Sequence, residues 1–147
     1  MNTLDLTAKQ VAEIANVPAP TFGHWLVTGL IRPIRAWGHG RGRRYVFSLA
    51  NVVEAMVVTD LRNRHVPKHK LYAVVREIEK HRSLVESGKD MLTLVTDTVT
   101  ARAIKGEQEL ARFVRNFDGG PLISVPLDTL REEALEKLRW MCERRAE

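Results

Sequence analysis

Five arginines, Arg32, Arg35, Arg41, Arg43 and Arg44, fall within thirteen consecutive residues that contain neither Asp nor Glu. Clustered guanidinium groups bind phosphate, and each phosphate neutralised on a polyanion releases condensed counterions. The block therefore predicts salt-sensitive nucleic-acid binding. A charge run by itself also fits a solvated loop, so its setting has to decide. Residues 1–90 carry 14 basic and 8 acidic side chains, and residues 91–147 carry 9 and 10. The net +5 of the protein thus originates in its N-terminal part. Gly38, Gly40 and Gly42 lie inside the block. A glycine-rich nucleotide loop follows a strand and opens a helix, whereas these glycines join two β-compatible runs, 34–37 and 43–47. That arrangement predicts a hairpin whose turn comes close to a phosphate surface.

Other reactive side chains lack the company that chemistry requires. His65 and His69 have an i, i+4 spacing, but Pro67 lies between them and no partner ligands are evident. Glu132, Glu133 and Glu136 sit in an amphipathic segment as solvated charges. The single cysteine, Cys142, excludes an internal disulfide and falls on an apolar helix face, where a small buried hydrophobe is expected. No nucleophile, base and orienting group share a defensible spacing. The sequence predicts no enzyme, no metal and no cofactor. At 147 residues, 44% apolar and 28% charged, the chain is expected to be globular. Its apolar runs are far shorter than the ~20 residues of a membrane span. No signal peptide is visible at the N-terminus, so a cytoplasmic location is expected.

The elements that would position the arginines follow from periodicity and caps. Thr7 and Gln10 form a capping box for a helix starting at Ala8, with Val11, Ala12, Ile14 and Ala15 inward. Pro18 and Pro20 are tolerable only in the first turn of a second helix, 18–28, whose Phe22, Trp25 and Leu26 face the core. Gly29 ends it. Two short helices joined this tightly form a helix-turn-helix, and the arginine hairpin follows directly. Ser48 caps a third helix carrying Val52, Val53, Met56, Val57 and Leu61, with Asp60 a half-buried partner for a neighbouring arginine. Pro67 precedes a helix over 68–85.

The turn Ser87-Gly88-Lys89-Asp90 divides the chain into segments 1–86 and 91–147. Beyond it, strands are predicted over 91–96, 98–103 and 122–125. A helix over 107–117 is expected to place Phe113 and Phe117 in the core. A capping box at Thr129 and Glu132 should open a last helix, with Leu130, Ala134, Leu135, Leu138, Met141 and Cys142 on one face and Trp140 on the other.

The run from Ala15 to Pro33, followed by Arg43-Arg44-Tyr45, Ser48 and Val66-Pro67, resembles a MerR-type winged helix-turn-helix over about residues 6–82. The resemblance implies a DNA-binding homodimer, with helix 18–28 in the major groove and an arginine-rich wing, 34–47, on backbone phosphates. Thr21, Trp25, Arg43 and Tyr45 match family positions. Pro18 stands where the family has a Ser cap, Pro20 and Gly23 where it has arginines, and His24 where it has a tyrosine. Arg41 occupies the wing glycine. Helix two therefore lacks long donors, and affinity is expected to rest on the wing, with modest or shape-based readout. The candidate DNA contacts are Pro20, Thr21, His24, Trp25, Arg32, Arg35, Arg41, Arg43, Arg44 and Tyr45.

Members of that family usually dimerise through a long helix. Here the corresponding helix stops at Ser87-Gly88 and a small segment follows. The expected fold class is α+β: a winged helix-turn-helix, then a small α+β domain for dimerisation or partner binding through Leu122, Trp140 and Met141. The expected function is a homodimeric transcriptional regulator acting on double-stranded DNA, a repressor in the first instance. An antitoxin-like interaction module with autoregulatory DNA binding, and an architectural or segregation factor, remain open alternatives.

Overall fold

The computed structural model describes residues 5–38 and 44–146, so Arg41 and Arg43 lie outside the described residues. The chain opens with α1 (Ala8–Ala15) and α2 (Ala19–Val27). Strands β1 (Arg35–Trp37) and β2 (Arg44–Val46) then pair antiparallel. The capping box at Thr7 forms on both sides: Gln10 N–H donates to Thr7 Oγ1 at 3.2 Å, and Thr7 N–H to Gln10 Oε1 at 2.9 Å. Val11, Ala12, Ile14 and Ala15 are buried, as their spacing requires.

Helix α3 (Leu49–Asn63) is the centre of the molecule, packed by α1, α4 and α7. Ser48 occupies its N-cap, and Asn51 Oδ1 accepts the Ser48 N–H at 3.0 Å. The expected helix over 68–85 is two helices, α4 (Lys68–Lys80) and α5 (Arg82–Ser87). The chain leaves helical geometry at His81, whose ring nitrogen lies 3.0 Å from the Glu77 carbonyl. Beyond the bend Arg82 reaches both buried Glu54 and the carbonyl of Arg32, so the break serves polar groups that a straight helix would pass by. Gly88 ends α5 with φ +61°, a left-handed conformation that favours glycine, and a Cβ there would displace the Arg131 guanidinium.

Strand β3 (Leu92–Thr96) is buried throughout and lies between β4 (Ala101–Lys105) and β5 (Ile123–Pro126), all antiparallel. The second strand begins three residues later than its composition suggests. Asp97 accounts for the shift: its carboxylate accepts the N–H groups of Val99 at 2.9 Å and Thr100 at 2.7 Å, which makes 97–100 a turn.

Helix α7 (Leu127–Ala146) starts two residues before Thr129, so no capping box forms there. Asp128 in its first turn accepts the Leu92 N–H at 3.2 Å, and Glu132 instead pairs with Arg131 at 2.8 Å. Cys142 is exposed rather than buried. Met141 takes the last inward position of α7, and the next residue is rotated by about 100°.

Helix α6 (Glu107–Asn116) also departs from expectation, since none of its residues is buried. Phe113 and Phe117 are half-buried and stack on each other at 5.7 Å, and Val114 is 53% exposed. The helix rests against β4, an edge strand, and its apolar side remains part-exposed among the described residues. Across the Ser87–Asp90 turn the core continues. Leu92, Leu94, Val125, Leu127, Ala134 and Leu138 join the cluster that holds Ile14, Phe22 and Leu61. Lys137 Nζ on α7 donates to the Ile14 carbonyl of α1 at 3.2 Å.

Candidate nucleic-acid interface

Helix α2 forms from a segment containing two prolines because of where they fall. Pro18 is the N-cap and Pro20 lies in the first turn, positions at which a missing N–H breaks no intrahelical bond. The inner face of α2 is aromatic. Phe22 and Trp25 are buried, with Phe22 6.4 Å from Trp25 edge-on and 5.5 Å from Phe47. Tyr45 on β2 lies 6.3 Å from Phe47, so one aromatic cluster ties the hairpin to α2. This cluster fixes the angle between the two elements that carry the candidate contacts.

The outer face of α2 presents Pro20, Thr21, His24 and Val27, and Val27 is 86% exposed. A Cβ at Gly23 would meet nothing. Thr21, His24 and the edge of Trp25 line a concavity of about 410 Å³, closed on its far side by Thr59, Arg62, Asn63 and Lys68. Arg62 and Lys68 were not among the sequence candidates. Their basic type was visible, but only the folding of α3 and α4 around the helix-turn-helix brings them into one concavity with Thr21. No acidic residue occurs between Glu13 and Glu54, so α2 and the hairpin contribute no negative charge of their own.

In the hairpin, Arg35 pairs with Val46, Ala36 with Tyr45, and Trp37 with Arg44. Directly opposed residues share a face, as do alternate residues of one strand. Arg35, Trp37, Arg44 and Val46 therefore share one face, and Ala36 and Tyr45 lie on the other, Tyr45 toward Phe47. Arg35 meets Asp5 at 3.1 Å, an exposed pair.

Arg32 is differently placed. Its Nε donates to Glu79 Oε2 at 2.9 Å, and its second arm holds Oε1 of the same carboxylate. Arg76 and Arg82 contact Glu79 Oε2 at 3.1 and 3.3 Å. Arg76 also donates to the carbonyls of Gly29 and Leu30, the exit from α2. Burial pushes the Glu79 carboxyl up, but the Arg32 hydrogen bond and the three guanidinium charges outweigh it and leave the pKa lowered. Next to it, Glu54 is buried and accepts from Asn51 Nδ2 at 3.0 Å. Its desolvation raises the pKa to about 7, against the opposing pull of Arg82 and Asn51. The network locks the α2 exit to α4 and α5.

In the C-terminal segment Trp140 is 56% exposed, with the Arg144 guanidinium 4.8 Å over its ring. Trp140 and Met141 line a concavity with Glu13, Arg144 and Arg145. Leu122 is half-buried beside β5 and is not among the residues lining that concavity. His65 lies in the α3–α4 turn with φ +67° and His69 on α4, so they share no helical face. Among the described residues no three His, Cys, Asp or Glu side chains are grouped to hold a metal, and no helix is long and apolar enough to cross a membrane.

Residues 6–77 match the family model described as MerR HTH family regulatory protein. No curated protein matches the chain. The matched stretch contains α1, α2, the hairpin, α3 and most of α4, which together build the aromatic cluster and the α2 concavity. The family is a regulatory, DNA-binding one, which suggests a DNA-binding transcriptional regulator rather than an enzyme. The protein thus carries a MerR-type helix-turn-helix over residues 6–77, followed by a small sheet-containing C-terminal region.

Proposed function

We propose that the protein is a homodimeric transcriptional repressor that lays α2 in the major groove of duplex DNA and grips the flanking backbone with its arginine-bearing hairpin. The observation that carries this reading is the outer face of α2. Thr21 and His24 stand exposed on a helix whose other side is clamped by Phe22, Trp25 and Phe47, beside Arg62 and Lys68. Thr21 and His24 are short donors suited to base edges, while Arg35, Arg44 and the neighbouring Arg41 and Arg43 supply phosphate contacts. Pro20 shapes the helix entrance. Trp25, buried, sets the helix angle, and Tyr45 secures the hairpin. Arg32, held by Glu79, supports the α2 exit and leaves phosphate binding to the hairpin.

The segment 91–147 is assigned to pairing two chains, through Trp140 and Met141 on α7 and, separately, Leu122 beside β5. A two-fold operator needs two reading helices about one DNA turn apart. Sedimentation of the purified protein with DNA from upstream of its own gene tests this assignment. Two chains per duplex are expected, and one chain per duplex contradicts it. One observation favours a second reading, an interaction module whose DNA binding is autoregulatory: α6 carries an apolar face with no buried residue. Co-purification of a neighbouring gene's product at fixed stoichiometry would favour that module.

A further inference from the structure

We infer that Trp37 is a DNA-backbone contact, its indole face lying on deoxyribose and its Nε1–H directed to a phosphate. This rests on the reading of the hairpin as a DNA grip. Trp37 is 51% exposed at the end of β1, and Gly38 with φ +87° turns the chain immediately after it. The hairpin is two-sided. Tyr45 turns toward Phe47 and the protein, so the indole is not needed to anchor the strands. On the outer face its cross-strand partner is Arg44 and its same-strand neighbour is Arg35, both exposed, while the half-buried Val46 opposite Arg35 is the other apolar residue of that face. Arg35 is engaged by Asp5, but both side chains are more than half exposed, and a surface pair of this kind yields readily to a phosphate.

A protein-binding hot spot is typically an aromatic ringed by other apolar groups, with charge depleted at its centre. Here the indole is flanked by cations in a stretch free of acids from Glu13 to Glu54. The surface complementary to that pattern alternates apolar and anionic groups at short range. A nucleic-acid backbone does so, presenting sugar C–H faces between phosphates. Trp is moreover an N–H donor with no acceptor, which suits a phosphate oxygen.

The contact has a distinctive signature, because an uncharged side chain releases no counterion. Trp37→Ala is expected to weaken binding roughly five- to tenfold, the scale of an interfacial aromatic anchor, with the salt dependence unchanged. The loss should be equal on specific and scrambled duplexes, since the backbone is common to both. Arg44→Ala in the same chain is expected to lower the log K versus log salt slope by about one. Trp37→Phe, keeping a ring face without the N–H, should fall between wild type and Trp37→Ala.

The experiment is an anisotropy titration of these full-length variants at several salt concentrations, with melting temperatures measured alongside. Acrylamide quenching of a Trp140→Phe chain provides a second readout, because Trp25 is buried and Trp37 is then the exposed indole. DNA should shield it. Unchanged affinity in Trp37→Ala with Arg44→Ala impaired overturns the inference and leaves the grip standing. Unchanged DNA affinity with lost self-association assigns Trp37 to a protein contact and also overturns it. Absence of duplex binding by the wild type overturns both the inference and the reading beneath it.

Discussion

Arg32 and Glu79, far apart in sequence, meet in a two-pronged ion pair that joins the exit of α2 to α4. Glu79 also receives Arg76 and Arg82, so one carboxylate balances three guanidinium groups. The Glu79 side chain is only 10% exposed while that of Arg32 is 58% exposed. The pair is therefore asymmetric in consequence. Removing Arg32 leaves Glu79 two other partners and costs about 1 kcal/mol or less. Glu79→Ala strips Arg32 and Arg76 of their carboxylate and leaves Arg82 with Glu54 alone, and is expected to cost about 2–4 kcal/mol. Urea unfolding of both variants checks the ordering, and equal losses would contradict it.

The two neighbouring carboxyls respond to pH in opposite directions. Glu54, raised to about 7 by burial, favours the folded state in its protonated form. Its contribution is fully present below the unfolded carboxyl value of about 4.5 and is lost as pH rises through about 7. Glu79, lowered, contributes above its unfolded value and loses that contribution as pH falls through its folded one. Glu54→Gln is accordingly expected to gain stability relative to wild type between pH 5 and pH 8. Paired unfolding curves at the two pH values measure this, and a pH-independent difference would count against a protonated Glu54.

Gly23 stands on α2 with open space beyond its Cα. Gly23→Ala should stabilise the protein by about 0.5–1 kcal/mol, the usual helix-interior difference. Gly23→Arg should keep most of that gain and add a long donor on the outer face. Tighter DNA binding and a salt slope steeper by about one are expected. Thermal unfolding and anisotropy on the same samples separate the two effects. A Gly23→Arg chain that melts higher yet binds no better would place this face away from the DNA.

Cys142 is exposed on α7. A disulfide-exchange reagent should modify it in the native protein about as fast as in the unfolded chain. Protection released only by denaturant would show that the α7 surface is covered in solution, for example by a second subunit.

The sequence carried most of the N-terminal half. Capping at Thr7, the inward set of α1, the prolines at the start of α2 and the helix start after Pro67 are local rules, and the structure obeys them. The misses have two causes: tertiary groups at His81 and Asp128, and at Asp97 a local side-chain turn that strand-like composition hid. His81 breaks a helix that periodicity would continue, because Arg82 is drawn to Glu54. Asp97 captures two N–H groups and delays β4. Asp128 on Leu92 accompanies an α7 start ahead of its apparent capping box. The Phe113 and Phe117 spacing correctly marked one apolar face of α6, but spacing alone does not say what covers it. The exposure of Pro20, Thr21 and His24 on α2 was legible from helical phase, whereas Trp25, also named as a candidate contact, is buried. Arg62 and Lys68 were not legible, since the concavity they share with Thr21 exists only in the folded tertiary structure.

The central claim is that α2 reads DNA while the hairpin holds it. The most direct measurement is a fluorescence-anisotropy titration of wild type, Thr21→Ala and His24→Ala against DNA from upstream of the protein's own gene, with a scrambled duplex beside it at two salt concentrations. The account predicts a wild-type preference of about 10³-fold or more. It also predicts that both substitutions shrink that preference while leaving scrambled-duplex affinity unchanged. Equal affinity of the wild type for both duplexes, or a preference untouched by either substitution, would contradict it.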